Sequence, residues 1–229
     1  MFNLLGFQET ALDKLTASFI RLWANQRRQL PLVFKSPTGS GKTLMMANFV
    51  NNLNHLPNWD SDKAFVWITF SDDLAMQSRD KFHQYFGTVL ENGLLTVADL
   101  DRGILQKNDI LFLNWQKVVS RAAENRVLRR PEDLRLKKET GFYFEDFIEN
   151  TRAKGREIVL IIDEAHTNVT PDLAQDIINI IDPKVVVHVS ATPKPEIVAL
   201  GAELESFIQV SREAVVAEGL IKSQIVTQT

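Results

Sequence analysis

Apolar residues fall into six short runs, at 30–34, 64–70, 110–113, 158–162, 185–189 and 207–210. Most are rich in Val, Ile and Phe and show no polar alternation, the pattern of strands buried on both faces of a parallel sheet. Between them apolar positions recur every three or four residues, which predicts helices over 9–26, 43–54, 74–86, 116–129, 144–153 and 173–181. Strand and helix taking turns in this way predict an α/β fold, a mostly parallel sheet flanked by helices on both faces.

Three stretches depart from the rhythm. Residues 54–63 are polar and turn-rich and are expected to form an exposed loop. Residues 121–141 hold seven basic and four acidic side chains where a compact domain needs only a short connection. They read either as a solvated helical insertion or as a basic surface facing a nucleic acid. From 211 to 229 the chain turns to small and polar residues, so the expected division is a domain over 1–210 and a tail over 211–229 leading away from it.

Composition narrows the class. The 229 residues carry 26 Lys+Arg against 29 Asp+Glu, a net charge of −3, and 45% are hydrophobic, so disorder, fibrous repeats and coiled coils are poor readings. No cysteine is present, which excludes disulfides, thiolate metal sites and cysteine catalysis. The four histidines, His55, His83, His166 and His188, have no ligand spacing that would suggest zinc. The longest unbroken apolar run, 158–162, is too short for a bilayer, and no signal-peptide pattern opens the chain, which points to a cytoplasmic protein. The acidic total argues gently against nucleic acid as a partner.

The chemistry concentrates after three of the apolar runs. Ser36-Pro37-Thr38-Gly39-Ser40-Gly41-Lys42-Thr43 lies between a predicted strand and a predicted helix, the setting of a phosphate-binding loop. Gly39 and Gly41 let backbone N–H groups turn toward phosphate oxygens, with Thr38 before them and Ser40 between them. Lys42 reaches the β and γ phosphates of ATP, and the Thr43 hydroxyl ligates Mg2+. The general pattern begins with glycine, where this chain has Ser36. After the run 158–162 come Asp163-Glu164-Ala165-His166. Asp163 is placed to hold Mg2+ through water and Glu164 to deprotonate the attacking water. Ser190-Ala191-Thr192-Pro193 follows the run 185–189, where Ser190 and Thr192 can hydrogen-bond the acidic motif and relay nucleotide state, with His166 as a polar partner.

Phe7-Gln8, PTGSGKT at 37–43, DEAH at 163–166 and SATP at 190–193, in this order, resemble the first RecA-like domain of a superfamily 2 helicase or translocase, over essentially the whole chain. The resemblance implies a RecA-like P-loop NTPase fold and an adenine-reading role for Gln8. It also implies a DNA-backbone motif starting at Phe70, which here lacks the usual proline and leaves Ser71 and Gln77 as candidates. Residues 109–117, 147–152 and 213–221 are further similar to the restriction (Res) subunit of type III restriction–modification enzymes. That likeness implies ATP hydrolysis coupled to double-stranded DNA, a methyltransferase (Mod) partner that supplies sequence recognition, and a nuclease domain. A second RecA-like domain would bring arginines to the γ-phosphate. After Pro193 the sequence runs only to Thr229 and holds one arginine, Arg212, so slow hydrolysis and no translocation are expected of this chain alone. Another superfamily 2 motor, acting on RNA or in repair, and a stand-alone ATP-binding regulatory module remain open as alternatives; no transporter-type LSGGQ occurs.

Overall fold

A computed structural model describes residues 3–57, 59, 61–87, 93–119, 142–163 and 171–221. Seven strands, β1 (Leu30–Lys35), β2 (Lys63–Thr69), β3 (Leu94–Leu95), β4 (Ile110–Asn114), β5 (Glu157–Asp163), β6 (Val185–Ser190) and β7 (Phe207–Gln209), form one sheet in the order β3-β4-β2-β5-β6-β1-β7. Every pairing is parallel. The helices are α1 (Gly6–Trp23), α2 (Lys42–Asn54), α3 (Asp72–Phe86), α4 (Trp115–Val119), α5 (Phe144–Ala153), α6 (Pro171–Ile181), α7 (Pro195–Glu203) and α8 (Arg212–Ala217).

The period of two along a strand divides the core in two. On β2, Phe65 and Trp67 join Leu15, Phe19, Phe34 and Phe49 beneath α1, α2 and α3. Ala64, Val66 and Ile68 turn to the opposite face and pack with Phe144, Phe147 and Ile177 of α5 and α6. Because both faces are covered, β2 is buried at every position, and this is why the strands read as unbroken apolar runs.

All strands being parallel, every strand–helix turn at a carboxyl end falls on one edge of the sheet, the upper edge. The loops after β1, β2, β5 and β6 share that edge although they follow Lys35, Thr69, Asp163 and Ser190, far apart in sequence, and this is where an open α/β sheet binds ligands. The stretch expected as an exposed loop behaves differently at its end. Lys63 is buried at the start of β2 and donates to Asn108 Oδ1 at 3.1 Å, with Trp59 beneath its ammonium at 4.9 Å. Trp59 also packs edge-on against Phe19 and Trp23. The charged segment 121–141 lies outside the described residues. The first residues of the expected tail pack on the domain: α8 buries Val215 in the core, and Ile221 rests against the same cluster.

Candidate nucleotide site

The phosphate-binding loop leaves β1 at Ser36 and enters α2 at Lys42. Gly39 and Gly41 have φ of +84° and +85°, a left-handed backbone that lets successive N–H groups face one concavity. There is no room for a side chain at either: a Cβ on Gly41 would meet Gln8 Nε2 at 2.7 Å, and one on Gly39 would meet Ile221 Cγ2 at 2.9 Å. The loop is therefore held from both sides by segments near the two ends of the described chain.

Ser36 explains itself in three dimensions. Its hydroxyl and that of Ser40 lie 2.6 Å apart, both residues fully buried, so the departure from glycine is matched by a hydrogen bond that closes the base of the loop. Ser36 N also donates to Ser190 O at 3.1 Å, which ties the loop to the end of β6. Gln8 donates from Nε2 to Ser40 O at 3.0 Å and accepts from Leu5 N at 3.0 Å, linking the start of α1 to the loop. Each end of the amide retains one further hydrogen-bonding position. Lys42 extends back over the loop, its Nζ 3.5 Å from Pro37 O.

One cavity of about 410 Å³ is bordered by Gly39, Gly41, Lys42 and Thr43 of the loop, by Asp163 at the end of β5, and by a wall from Thr69 and α3. Two regions 120 residues apart in sequence thus meet across a single space, as the motifs required. The donor set suits a hard cation: one hydroxyl oxygen and one carboxylate, leaving the other positions for water and phosphate oxygens, as Mg2+ prefers. Glu164 and His166 lie outside the described residues. Ser190 is buried and its Oγ accepts from Thr192 N at 2.9 Å, a local turn that leaves Thr192 exposed beside the loop.

The two residues of the expected DNA motif part company. Ser71 caps α3, its Oγ accepting from Leu74 N at 3.3 Å, while Gln77 lies in the wall of the cavity. Reading by motif missed the rest of that wall, Leu74, Ser78, Lys81 and Tyr85. Their signal was the spacing: with Gln77 they stand at i, i+3, i+4, i+7 and i+11, one face of a helix. Burial raises the Tyr85 hydroxyl above the usual phenol value. The residues of 147–152 that carry likeness to Res subunits are structural ties. Asn150 donates to Gly103 O at 2.9 Å, the Thr151 hydroxyl accepts from Leu105 N at 3.0 Å, and Arg152 pairs with Asp182 at 2.6 Å.

A seven-stranded parallel sheet with a phosphate loop after β1 and a carboxylate at the end of β5 defines a RecA-like nucleotide-binding domain. The family "Type III restriction enzyme, res subunit" matches residues 1–195, and the chain belongs to it. No curated protein sequence matches it. Among solved structures it is similar to the UvsW helicase from bacteriophage T4, at 16% identity and a TM-score of 0.49, covering 91% of this chain and 60% of that one. It is also similar to a nuclease-deletion mutant of the Type ISP restriction-modification enzyme LlaGI in complex with a DNA substrate mimic. That match has 15% identity and a TM-score of 0.57, covering 96% of this chain and 21% of that one, and bears on the fold.

Proposed function

We propose that this domain binds ATP with Mg2+ and hydrolyses it to drive movement on double-stranded DNA, as the motor of a type III restriction endonuclease in the cytoplasm. The observation that carries the reading is the meeting of the phosphate loop and Asp163 on one cavity at the upper edge of the sheet. Thr38, Gly39, Ser40 and Gly41 offer backbone N–H groups to the phosphates, and Lys42 neutralises their charge as it moves from Pro37 O. Thr43 and Asp163 hold the metal, which screens the β and γ oxygens. Glu164 takes the proton of the attacking water. Gln8 reads the adenine edge with the donor and acceptor positions its amide retains. His166, Ser190 and Thr192 couple the acidic motif to the DNA-facing surface, where Ser71 and Gln77 are the candidate contacts. A Mod subunit supplies sequence recognition, and a nuclease domain cuts.

Lys42 and Lys81 are the cations among the described residues lining the cavity, and no arginine joins them. An arginine delivered from outside adds about 10³–10⁵ to the rate of phosphoryl transfer, so the chain alone is expected to bind ATP well and turn it over slowly. Calorimetry and a phosphate-release assay test this. Lys42→Ala should remove ATP binding. Glu164→Gln should retain binding and lower turnover by about 10²–10⁴, the contribution of a positioned base. Wild-type affinity in the first variant would overturn the loop assignment, and wild-type turnover in the second would require another base.

A further inference from the structure

The cavity is larger than the phosphate loop needs. With the loop and Asp163 at one end, it continues along α3, whose Gln77, Ser78, Lys81 and Tyr85 present an amide, two hydroxyls and an ammonium to it. The core does not require Gln77, Lys81 or Tyr85 there, since α3 buries its other face through Ala75, Ser78 and Phe82. Lys81 pairs with no carboxylate and the Gln77 amide forms no hydrogen bond among the described residues. A half-buried, unneutralised cation beside neutral donors is a surface suited to an oxyanion.

The position of the wall selects which oxyanion. When water adds to the γ-phosphorus and the bond to the ADP oxygen breaks, ADP remains on the loop and inorganic phosphate is left at the end marked by Thr43 and Asp163. The loop side is then filled by ADP, and the base of the loop is closed by the Ser36–Ser40 hydrogen bond. The other wall of the cavity is the one formed by α3. We propose that Ser78, Lys81 and Tyr85 form a binding site for the released inorganic phosphate. Tyr85, a neutral phenol, donates rather than repels.

The proposal rests on the nucleotide reading of the cavity, and two separate readouts distinguish their failures. MgADP affinity is measured by calorimetry, and inorganic phosphate is titrated into the MgADP-bound chain and followed by 31P line broadening. Lys81→Ala should weaken phosphate binding about tenfold, the loss of one charge-assisted hydrogen bond, with MgADP affinity within about twofold of wild type. Lys81→Arg should restore most of it. MgADP binding also reports that each variant is folded. Unchanged phosphate binding in Lys81→Ala overturns the proposal, and so does an equal loss of MgADP affinity, which would make the wall an ordinary part of the nucleotide site. Phosphate binding that depends on Lys81 in a chain that binds no MgADP would instead overturn the nucleotide reading and leave the anion site standing.

Discussion

The two edges of the sheet spend their polar residues in opposite ways. At the lower edge, where strands begin, charges are matched to one another. Arg28 holds Glu157 through two hydrogen bonds, at 2.9 and 2.7 Å, and pairs with Asp182 at 2.9 Å, which is shared with Arg152 at 2.6 Å. Arg156 pairs with Asp62 at 2.6 Å, and Lys63 is enclosed by Asn108 and Trp59. Glu157, and with it Asp182, holds the Arg28 guanidinium above its ordinary value. At the upper edge the loop glycines take left-handed backbone, and Lys42, Thr43, Asp163 and Lys81 border a cavity. The difference is in what the polar side chains face: at the lower edge one another, and at the upper edge a cavity, where perturbed and convergent polar groups mark a candidate binding site.

The strand interiors between the two edges carry the sharpest test. Among the described strand residues, ionisable side chains stand at the ends, Lys63 and Glu157 below and Lys35 and Asp163 above, with His188 as the exception in the middle of β6. It lies level with Val33 of β1 and Ile162 of β5, and burial lowers its imidazole from 6.5 to about 4. Its folded value being the lower one, its contribution is fully present above the unfolded value. It is lost as pH falls from about 6.5 through 4, by on the order of 3 kcal/mol. His188→Leu should flatten this part of the pH dependence of thermal stability. An unchanged slope between wild type and variant would mean that a charge is tolerated inside the sheet, and the contrast between edges and interior would fail.

Arg28→Ala addresses the lower edge alone. It leaves Glu157 and Asp182 short of a partner, and because the pair is about one third exposed the expected loss is about 2 kcal/mol, or roughly 4–8 °C in Tm. MgATP affinity should not change, since the network and the phosphate loop stand at opposite ends of the strands. A variant that lost nucleotide affinity in step with stability would show the edges to be coupled.

How much of this was legible in the sequence follows from the range of the signals. Six strands announced themselves as apolar runs because both faces of the sheet are covered; β3, Leu94–Leu95, was too short to form one. The phosphate loop and acidic motif were legible because their chemistry needs particular residues in a few consecutive positions. α7 was missed: it starts at Pro195, two residues after Pro193, where a turn was the natural reading, although proline also suits the first turn of a helix. The strand order had no local signal, since adjacency in the sheet joins β1 to β6 and β7 across most of the chain. Lys63 read as solvated because its partner Asn108 and its aromatic floor Trp59 are brought to it only by folding. The cavity wall on α3 was present as a helical stripe, but nothing in the stripe says what it faces.

Ser36 joins the two lessons, because a residue of the functional edge is here bonded as residues of the structural edge are. Glycine would match the general form of the phosphate loop, so motif reasoning alone expects Ser36→Gly to be harmless. The structure expects a cost. Ser40 Oγ is buried and has Ser36 Oγ as its hydrogen-bond partner among the described residues, and its removal leaves an unsatisfied hydroxyl worth about 1 kcal/mol or somewhat more. Ser36→Ala should show nearly the same loss without the added backbone freedom of glycine. Changing Ser40 to Ala as well should recover part of it, since removing both partners leaves nothing unsatisfied. Denaturant titrations of the two single variants and the double variant measure the coupling. Additive losses would mean that the two hydroxyls do not support each other, and that the loop is held by Gln8 and Ile221 from outside instead of from its own base.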